Sequence, residues 1–379
     1  MLSCGESSGD LYAGALLREL RALDPSIQVR GLGGPEFGAA GGELLEDYRG
    51  LSVTGLTEAV GKLAQSFAAL RRLVDSARRD PPDALVAIDF PDFNFRLARA
   101  IKRLGIPVVY YISPQLWAWR GGRLKTMRRI ADLVLVIFPF EESIYRDAGI
   151  PVVFVGHPLV DLSTSSDKAS FLRRHGLSVD APTVAILPGS RPNEVRRILP
   201  DLLGAAERIR ARLPESQFLV ARAPNLDDRL FDIAGSRGMD RLVIVENETD
   251  ATLSAADVAL TASGTATVQT AIHDTPMVIV YRLSSLTYRV LRRLVTVDAI
   301  GMVNLIAGEK VVPELIQDSF TPDAVANEAI TMLTDGARRA QIHESLARVR
   351  ERLGGPGASR RAAEAILRTV AQRPRVAAR

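Results

Sequence analysis

The sequence predicts an α/β protein built from two doubly wound parallel-sheet domains. Short apolar runs rich in β-branched residues alternate with helical patterns, and several runs end in glycine- or serine-rich turns. The chain of 379 residues is also longer than one hydrophobic core usually supports. Open α/β sheets bind ligands beyond the carboxyl ends of their strands, so polar residues in those turns are the first candidates for function.

Met1 to Cys4 reads as the tail of a first strand, followed by the turn GESSGD (Gly5 to Asp10) and a helix from Leu11 to Leu23. A start at Met1 leaves that strand shorter than the usual five or six residues, roughly, so the natural start is expected a few residues upstream. Ile27 to Leu32 reads as the second strand and ends in GLGGPEF. Glycine turns of this kind suit a phosphate or sugar at a helix N-terminus, but also serve close packing alone. Leu51 to Arg79 carries a helical pattern with an apolar stripe of Val60, Leu63, Phe67, Leu70, Val74 and Ala77, and with Lys62, Arg71, Arg72, Arg78 and Arg79 mostly off it. Such a helix either packs on the sheet with a solvated basic face or lies on an anionic membrane surface.

The organising stretch is DALVAIDFPDFN, Asp83 to Asn94. Ala84 to Ile88 reads as a buried parallel strand that delivers Asp89 to its carboxyl end, with Asp92 on the turn shaped by Pro91. Either aspartate meets a substrate or caps the helix starting near Phe93. Phe95 to Leu104 reads as a helix and Pro107 to Ile112 as a strand leading into SPQLWAWR, where Trp117 and Trp119 form a hydrophobic plug or the wall of a sugar or lipid site. Leu133 to Ile137 and Val152 to Val155 are further strands, the latter ending in GHPLVD.

Leu162 to Lys168 is the linker candidate, giving domains of 1–161 and 162–345 and a helical tail of 346–379 packed on the first domain or on a partner subunit. In the second domain, Thr183 to Leu187 leads into PGSRPNEVRR. There Gly189 and Ser190 offer backbone donors, Arg191 offers charge for a diphosphate, and Glu194 is a first-turn acid or a hydroxyl acceptor. Asp257 to Leu260 leads into TASGTATVQTA, where Ser263, Gly264 and Thr265 form a second phosphate-cradling turn. Asn304 reads as a loop residue before VVPELIQ. Glycine loops on facing edges suggest two substrates meeting in an interdomain cleft.

The bulk numbers narrow the function. One cysteine excludes an internal disulfide and fits a reducing compartment, and four scattered histidines offer no metal spacing. Cys4 reads as a strand residue. No apolar window reaches spanning length and no secretory pattern opens the chain, so a cytoplasmic protein is expected. The net charge of +4 comes mainly from arginine, and with only 6% aromatic residues nucleic acid is not expected as a partner.

Nine motifs, GESSGD, GLGGPEF, IDFPDFN, SPQLWAWR, PFE, GHPL, LPGSRPNEV, SGTAT and NLIAGEKVVPEL, stand in this order between Gly5 and Gln317. Together they resemble the bacterial lipid-A-disaccharide synthase family. The resemblance implies a GT-B fold of two Rossmann-like domains and an inverting glycosyltransferase that condenses UDP-2,3-diacylglucosamine with 2,3-diacylglucosamine 1-phosphate. It gives Asp89 the role of base, with Asp92 supporting it. Arg191 would stabilise the departing UDP, and Gly189, Ser190, Glu194, Ser263, Gly264, Thr265, Ala266, Thr267, Gln269 and Asn304 would form the donor site. On the acceptor side it implicates Gly5, Ser8, Gly9, Asp10, Gly33, Gly34, Asn94 and Trp117. The family commonly has Glu, a ribose-hydroxyl acceptor in related transferases, where this chain has Gln269, so weaker ribose binding is expected. No DxD-like metal pair occurs, and neither metal nor cofactor is expected. Family members are peripheral membrane proteins, which favours the surface reading of Leu56 to Arg79 on the cytoplasmic face of the inner membrane. A homodimer with exchanged C-terminal segments and a monomer both suit the charged tail. The competing readings are another GT-B enzyme, such as a peptidoglycan-precursor transferase or a UDP-GlcNAc epimerase, and a non-catalytic UDP-sugar-binding protein.

Overall fold

The computed structural model describes residues 1–50, 59–114, 122–224, 226–236, 238–282 and 301–372, and it divides into two compact units. The first unit comprises Met1–Leu162 with Leu353–Arg379, and the second Ser163–Arg352. Trp117, Trp119 and the Leu56 end of the basic segment lie outside the described residues. No described helix is long and apolar enough to cross a membrane.

The first unit runs β1 (Leu2–Ser3), α1 (Ser7–Leu23), β2 (Arg30–Gly33), α2 (Pro35–Ala39), β3 (Glu43–Asp47), α3 (Ala59–Arg79), β4 (Leu85–Ile88), α4 (Pro91–Arg103), β5 (Val108–Tyr111), α5 (Gly122–Ile130), β6 (Leu133–Val136), α6 (Pro139–Asp147), β7 (Val152–Phe154) and α7 (Leu159–Leu162). Its parallel sheet has the order β3-β2-β1-β4-β5-β6-β7. The chain builds outward from β1 to β3, returns past it, and builds outward again from β4 to β7. The order therefore reverses between β1 and β4, where Leu2 pairs with Val86 and Ser3 with Ala87. Strands β4 and β5 are fully buried, which explains their unbroken apolar composition, since helices cover both faces of a parallel sheet.

The second unit runs α8 (Lys168–Arg174), β8 (Thr183–Leu187), α9 (Pro192–Arg212), β9 (Gln217–Arg222), α10 (Asp232–Ser236), β10 (Leu242–Glu246), α11 (Thr249–Ala255), β11 (Val258–Ala262), α12 (Thr265–Ile272), β12 (Met277–Tyr281), α13 (Met302–Ala307), β13 (Glu314–Ile316), α14 (Pro322–Thr334) and α15 (Gly336–Arg352). Its sheet order, β10-β9-β8-β11-β12-β13, reverses between β8 and β11. The last helix, α16 (Ala358–Ala371), belongs to the first unit and packs on α1. Asp161 holds its start by accepting the N–H groups of Gly357 (2.5 Å) and Ser359 (3.2 Å), and Arg361 Nε donates to the Val155 carbonyl at 2.8 Å.

Several elements depart from the pattern-based expectation. Helix α1 starts at Ser7 rather than Leu11, so much of GESSGD is helical. Strand β3 and helix α2 were not expected, because ELLED is a half-exposed edge strand without clean alternation and PEFGA is one short turn. Asn304 sits in α13, not in a loop. Among the described side chains of α3 the buried ones are Ala69, Leu73, Val74 and Ala77, whereas Phe67 is 44% exposed; the side chains of Val60, Lys62 and Leu63 lie outside the described ones.

His157 follows β7 and is buried between the rings of Tyr12 and Phe138, with Nδ1 accepting the Leu159 N–H at 3.2 Å. Burial pushes its pKa down to about 3 from an ordinary 6.5. The unfolded chain therefore binds more protons between those values. The stability that neutral His157 permits is complete above pH 6.5 and falls as pH drops toward 3, by up to about 1.4 kcal/mol per pH unit. His157→Gln should flatten the dependence of the urea midpoint on pH across that window; an unchanged slope would contradict the assignment.

Candidate active site

Ligands of doubly wound sheets sit where the strand order reverses, beyond the carboxyl ends. In the first unit that point is flanked by the turn after β1, which carries Gly5, and the turn after β4, which carries Asp89.

The β4 turn is strained. Asp89 (φ 43°) and Phe90 (φ 47°) are consecutive non-glycine residues in the left-handed region, each costing roughly 1–3 kcal/mol. Neighbours fix both. The Asp89 N–H points at the Tyr111 and Ile112 carbonyls (both 3.2 Å), and its own carbonyl accepts the Tyr110 hydroxyl (2.7 Å) and Asn94 Nδ2 (2.9 Å). Asn94 is wholly buried. Its Nδ2 also reaches the Ser3 and Ile88 carbonyls, while its Oδ1 accepts the Ser3 hydroxyl at 2.6 Å. The Phe90 ring fills the space over Gly5, where a Cβ would stand 2.1 Å from Phe90 Cγ. Asp89 is left half-buried at the sheet edge. Burial, with Asp89's charge as a lesser contribution, raises the pKa of Tyr110 well above its ordinary value and keeps it a donor.

Phe90 occupies the N-cap of α4, and its own side chain makes no capping hydrogen bond. Asp92 lies in the first turn, 83% exposed, and pairs with Arg123 at 2.9 Å. The glycine-loop residues have clear parts in the fold. Asp10 is buried and accepts the N–H groups of Gly34 (2.8 Å), Glu36 (2.9 Å) and Phe37 (3.1 Å), so it closes the β2 turn. A Cβ on Gly34 would stand 2.4 Å from the Tyr48 ring, and one on Gly33 2.6 Å from Phe37. Gly9 packs on Cys4, whose buried thiol is pushed well up in pKa, first by burial and then by Asp10. Ser8 is half-buried in the first turn of α1.

In the second unit the reversal point is flanked by the turns after β8 and β11, each opening a helix whose positive N-terminal end faces the same sheet edge. Gly189 (φ 115°) lets the backbone turn beneath Glu194, whose Oε2 would lie 2.7 Å from a Cβ there. Arg191 is the N-cap residue of α9, its guanidinium 61% exposed and 3.1 Å from Glu194 Oε1. Tyr281, ending β12, has its pKa raised by burial and then by Glu194, with Arg191 acting oppositely, so these three side chains form one electrostatic cluster. Beside them Gly264 (φ 153°) precedes α12, with no described atom within 4 Å of a Cβ placed on it. Ser190 and Thr265 are exposed there, and Ser263 and Ala266 half-buried.

Three expected donor residues make hydrogen bonds within this unit. The Thr267 hydroxyl is donated to the Gly264 carbonyl (2.8 Å). Asn304 is 1% exposed: its Oδ1 accepts the Val311 and Val312 N–H groups, and its Nδ2 donates to the Val312 carbonyl and Glu314 Oε1. All four of its hydrogen-bonding positions are used, so it braces the segment before β13. Gln269 Nε2 donates to Asp250 Oδ1 at 2.7 Å, a partner the sequence pattern did not single out.

A family model described as Lipid-A-disaccharide synthetase matches residues 1–369. The lipid-A-disaccharide synthase of Myxococcus xanthus is 42% identical over 368 residues, covering 97% of this chain and 96% of that one. That of Koribacter versatilis is 44% identical over 379 residues, covering 98% and 97%. Among solved structures, the UDP-GlcNAc 2-epimerase from Neisseria meningitidis bound to UDP-GlcNAc superposes with a TM-score of 0.69 at 12% identity, and the glycosyltransferase of kitacinnamycin with 0.64 at 16%. Both cover 97% of this chain and 98% of their own, and they establish the GT-B type of two-domain α/β fold.

The Phe90–Gly5 contact makes a direct prediction. Gly5→Ala should lower the unfolding free energy by about 1–3 kcal/mol, because the ring and its turn must move. Gly9→Ala, whose Cβ would meet Cys4 Cβ at 3.2 Å inside a helix, should cost less. Urea unfolding ranks the two, and a reversed order would show that Phe90 yields without cost.

Proposed function

Because this chain belongs to the lipid-A-disaccharide synthetase family, and so makes lipid A disaccharide 1-phosphate from UDP-2,3-diacylglucosamine and 2,3-diacylglucosamine 1-phosphate, we propose that Asp89 is the base of the transfer and that the α9 and α12 starts hold the departing UDP. The acceptor 6-hydroxyl loses its proton to the Asp89 carboxylate as its oxygen bonds to the anomeric carbon. The bond from that carbon to the diphosphate breaks, and its electron pair leaves on UDP. Attack opposite the leaving group turns the α-linked donor into a β-glycoside. Arg191 and the backbone donors at Ser190, Gly264, Thr265 and Ala266 stabilise the charge that develops on the diphosphate. Glu194 positions Arg191, and Asp92 supports the acceptor side through Arg123.

The observation that carries this reading is the Asp89–Phe90 turn. Strain of this kind survives where function selects it, and here it sets a carboxylate at the reversal point of its sheet. Asp89→Asn keeps the shape and removes the proton acceptor. It should lower acceptor-dependent UDP release by at least about a hundredfold while leaving the affinity for UDP within roughly twofold. Full release from the variant would remove Asp89 from the base role, and release without acceptor would indicate hydrolysis instead.

The same proposal puts the protein on the cytoplasmic face of the inner membrane, through α3 and its neighbours. Phe67 is exposed, with the Arg96 guanidinium 5.2 Å from its ring centroid. Arg71, Arg78 and Arg79 are exposed along α3. Helix α4, which packs on α3, frames with α5 a groove of about 500 Å³ lined by Arg99, Lys102, Arg103, Thr126, Arg129 and Ile130. Binding to vesicles containing anionic lipid should fall at least several-fold between 0.05 and 0.5 M salt, roughly, as screening removes the charge term. Salt-insensitive binding would leave only apolar insertion.

A further inference from the structure

We infer that Asp250 is a positioning residue for the donor nucleotide, orienting the Gln269 carboxamide so that its oxygen faces the ribose. This rests on the proposal that Gln269 belongs to the donor site. Gln269 lies on the second turn of α12, one turn below Thr265 and on the same face as it. A carboxylate only accepts, so the atom that Gln269 turns toward Asp250 is its nitrogen, and its oxygen is turned elsewhere. Asp250 is itself fixed. Its Oδ1 also accepts from His273 Nε2 at 2.7 Å, its Oδ2 accepts the Thr164 N–H at 3.2 Å, and His273 Nδ1 is met by the Ser254 hydroxyl at 3.0 Å. Burial works against the charge on Asp250, yet the hydrogen bonds from His273, Gln269 and Thr164 hold its carboxyl below the ordinary range.

The pair explains why an amide can stand at this position. A glutamate at position 269 would set a second carboxylate against Asp250, in a half-buried pocket where like charges repel strongly. Restoring a charged acceptor for the ribose therefore harms binding unless position 250 becomes neutral. Asp250→Asn supplies that neutrality, with an amide that can donate to the carboxylate introduced by Gln269→Glu.

The test is calorimetric affinity for UDP and for UDP lacking the 2′- or the 3′-hydroxyl, measured on wild type, Gln269→Ala, Gln269→Glu and Asp250→Asn/Gln269→Glu. Gln269→Ala should lose the preference for UDP over one deoxy analogue. Gln269→Glu should bind UDP about tenfold more weakly than wild type, and the double variant should recover most of that loss together with the hydroxyl preference. A merely structural role would not move the ratio between UDP and its deoxy analogue, and urea midpoints verify that each variant is folded. If Gln269→Ala keeps the ratio, the donor-site role of Gln269 fails and the inference falls with it. If Gln269→Ala loses the ratio but the double variant binds no better than Gln269→Glu, only the orienting role of Asp250 is overturned.

Discussion

The hydrogen bonds that hold the Asp89 carbonyl, one from Tyr110 and one from Asn94, are the constraint on which the first unit's site depends. Two consecutive residues with left-handed backbone are unfavourable by several kcal/mol, on the order of the margin that keeps a domain folded. They persist because Asn94 ties β1 to β4 through Ser3, and because Gly5 leaves room for the Phe90 ring. GESSGD and IDFPDFN are thus two halves of one support. Gly5 of the first motif is the seat of Phe90 in the second.

The two units solve the same problem by the same means. Each sheet reverses its strand order once, and each reversal leaves two turns side by side at the carboxyl edge. In the first unit the turns supply a carboxylate. In the second they supply two helix starts and an arginine, an arrangement with positive potential suited to a diphosphate. The chemistry of an inverting transfer needs one of each, a proton acceptor for the attacking hydroxyl and compensation for charge on the leaving group.

The fold was legible where burial on both faces dictates composition. Strands β4, β5, β8 and β11 read directly as short apolar runs, and the turns after β8 and β11 as glycine and serine clusters. Strand β3 did not, because an edge strand keeps charged residues on both sides. The site was legible in position but less so in role. Asp10, Asn94 and Asn304 are polar residues near strand ends, and the hydrogen bonds by which they brace other backbone and side-chain groups have no signature in the sequence. The left-handed Phe90 carries no local signature, since the room for its ring is left by Gly5, far away in the chain. The Asp250–Gln269 pair joins residues on different helices.

The central claim is that the Asp89 turn presents its side chain to the attacking hydroxyl. A crystal structure of the Asp89→Asn protein with UDP and 2,3-diacylglucosamine 1-phosphate bound tests it most directly. The account predicts the residue 89 side chain within about 3.2 Å of the acceptor 6-hydroxyl, with the left-handed backbone at 89 and 90 retained. A 6-hydroxyl held by another carboxylate or by a histidine, with residue 89 turned away from it, would contradict the account.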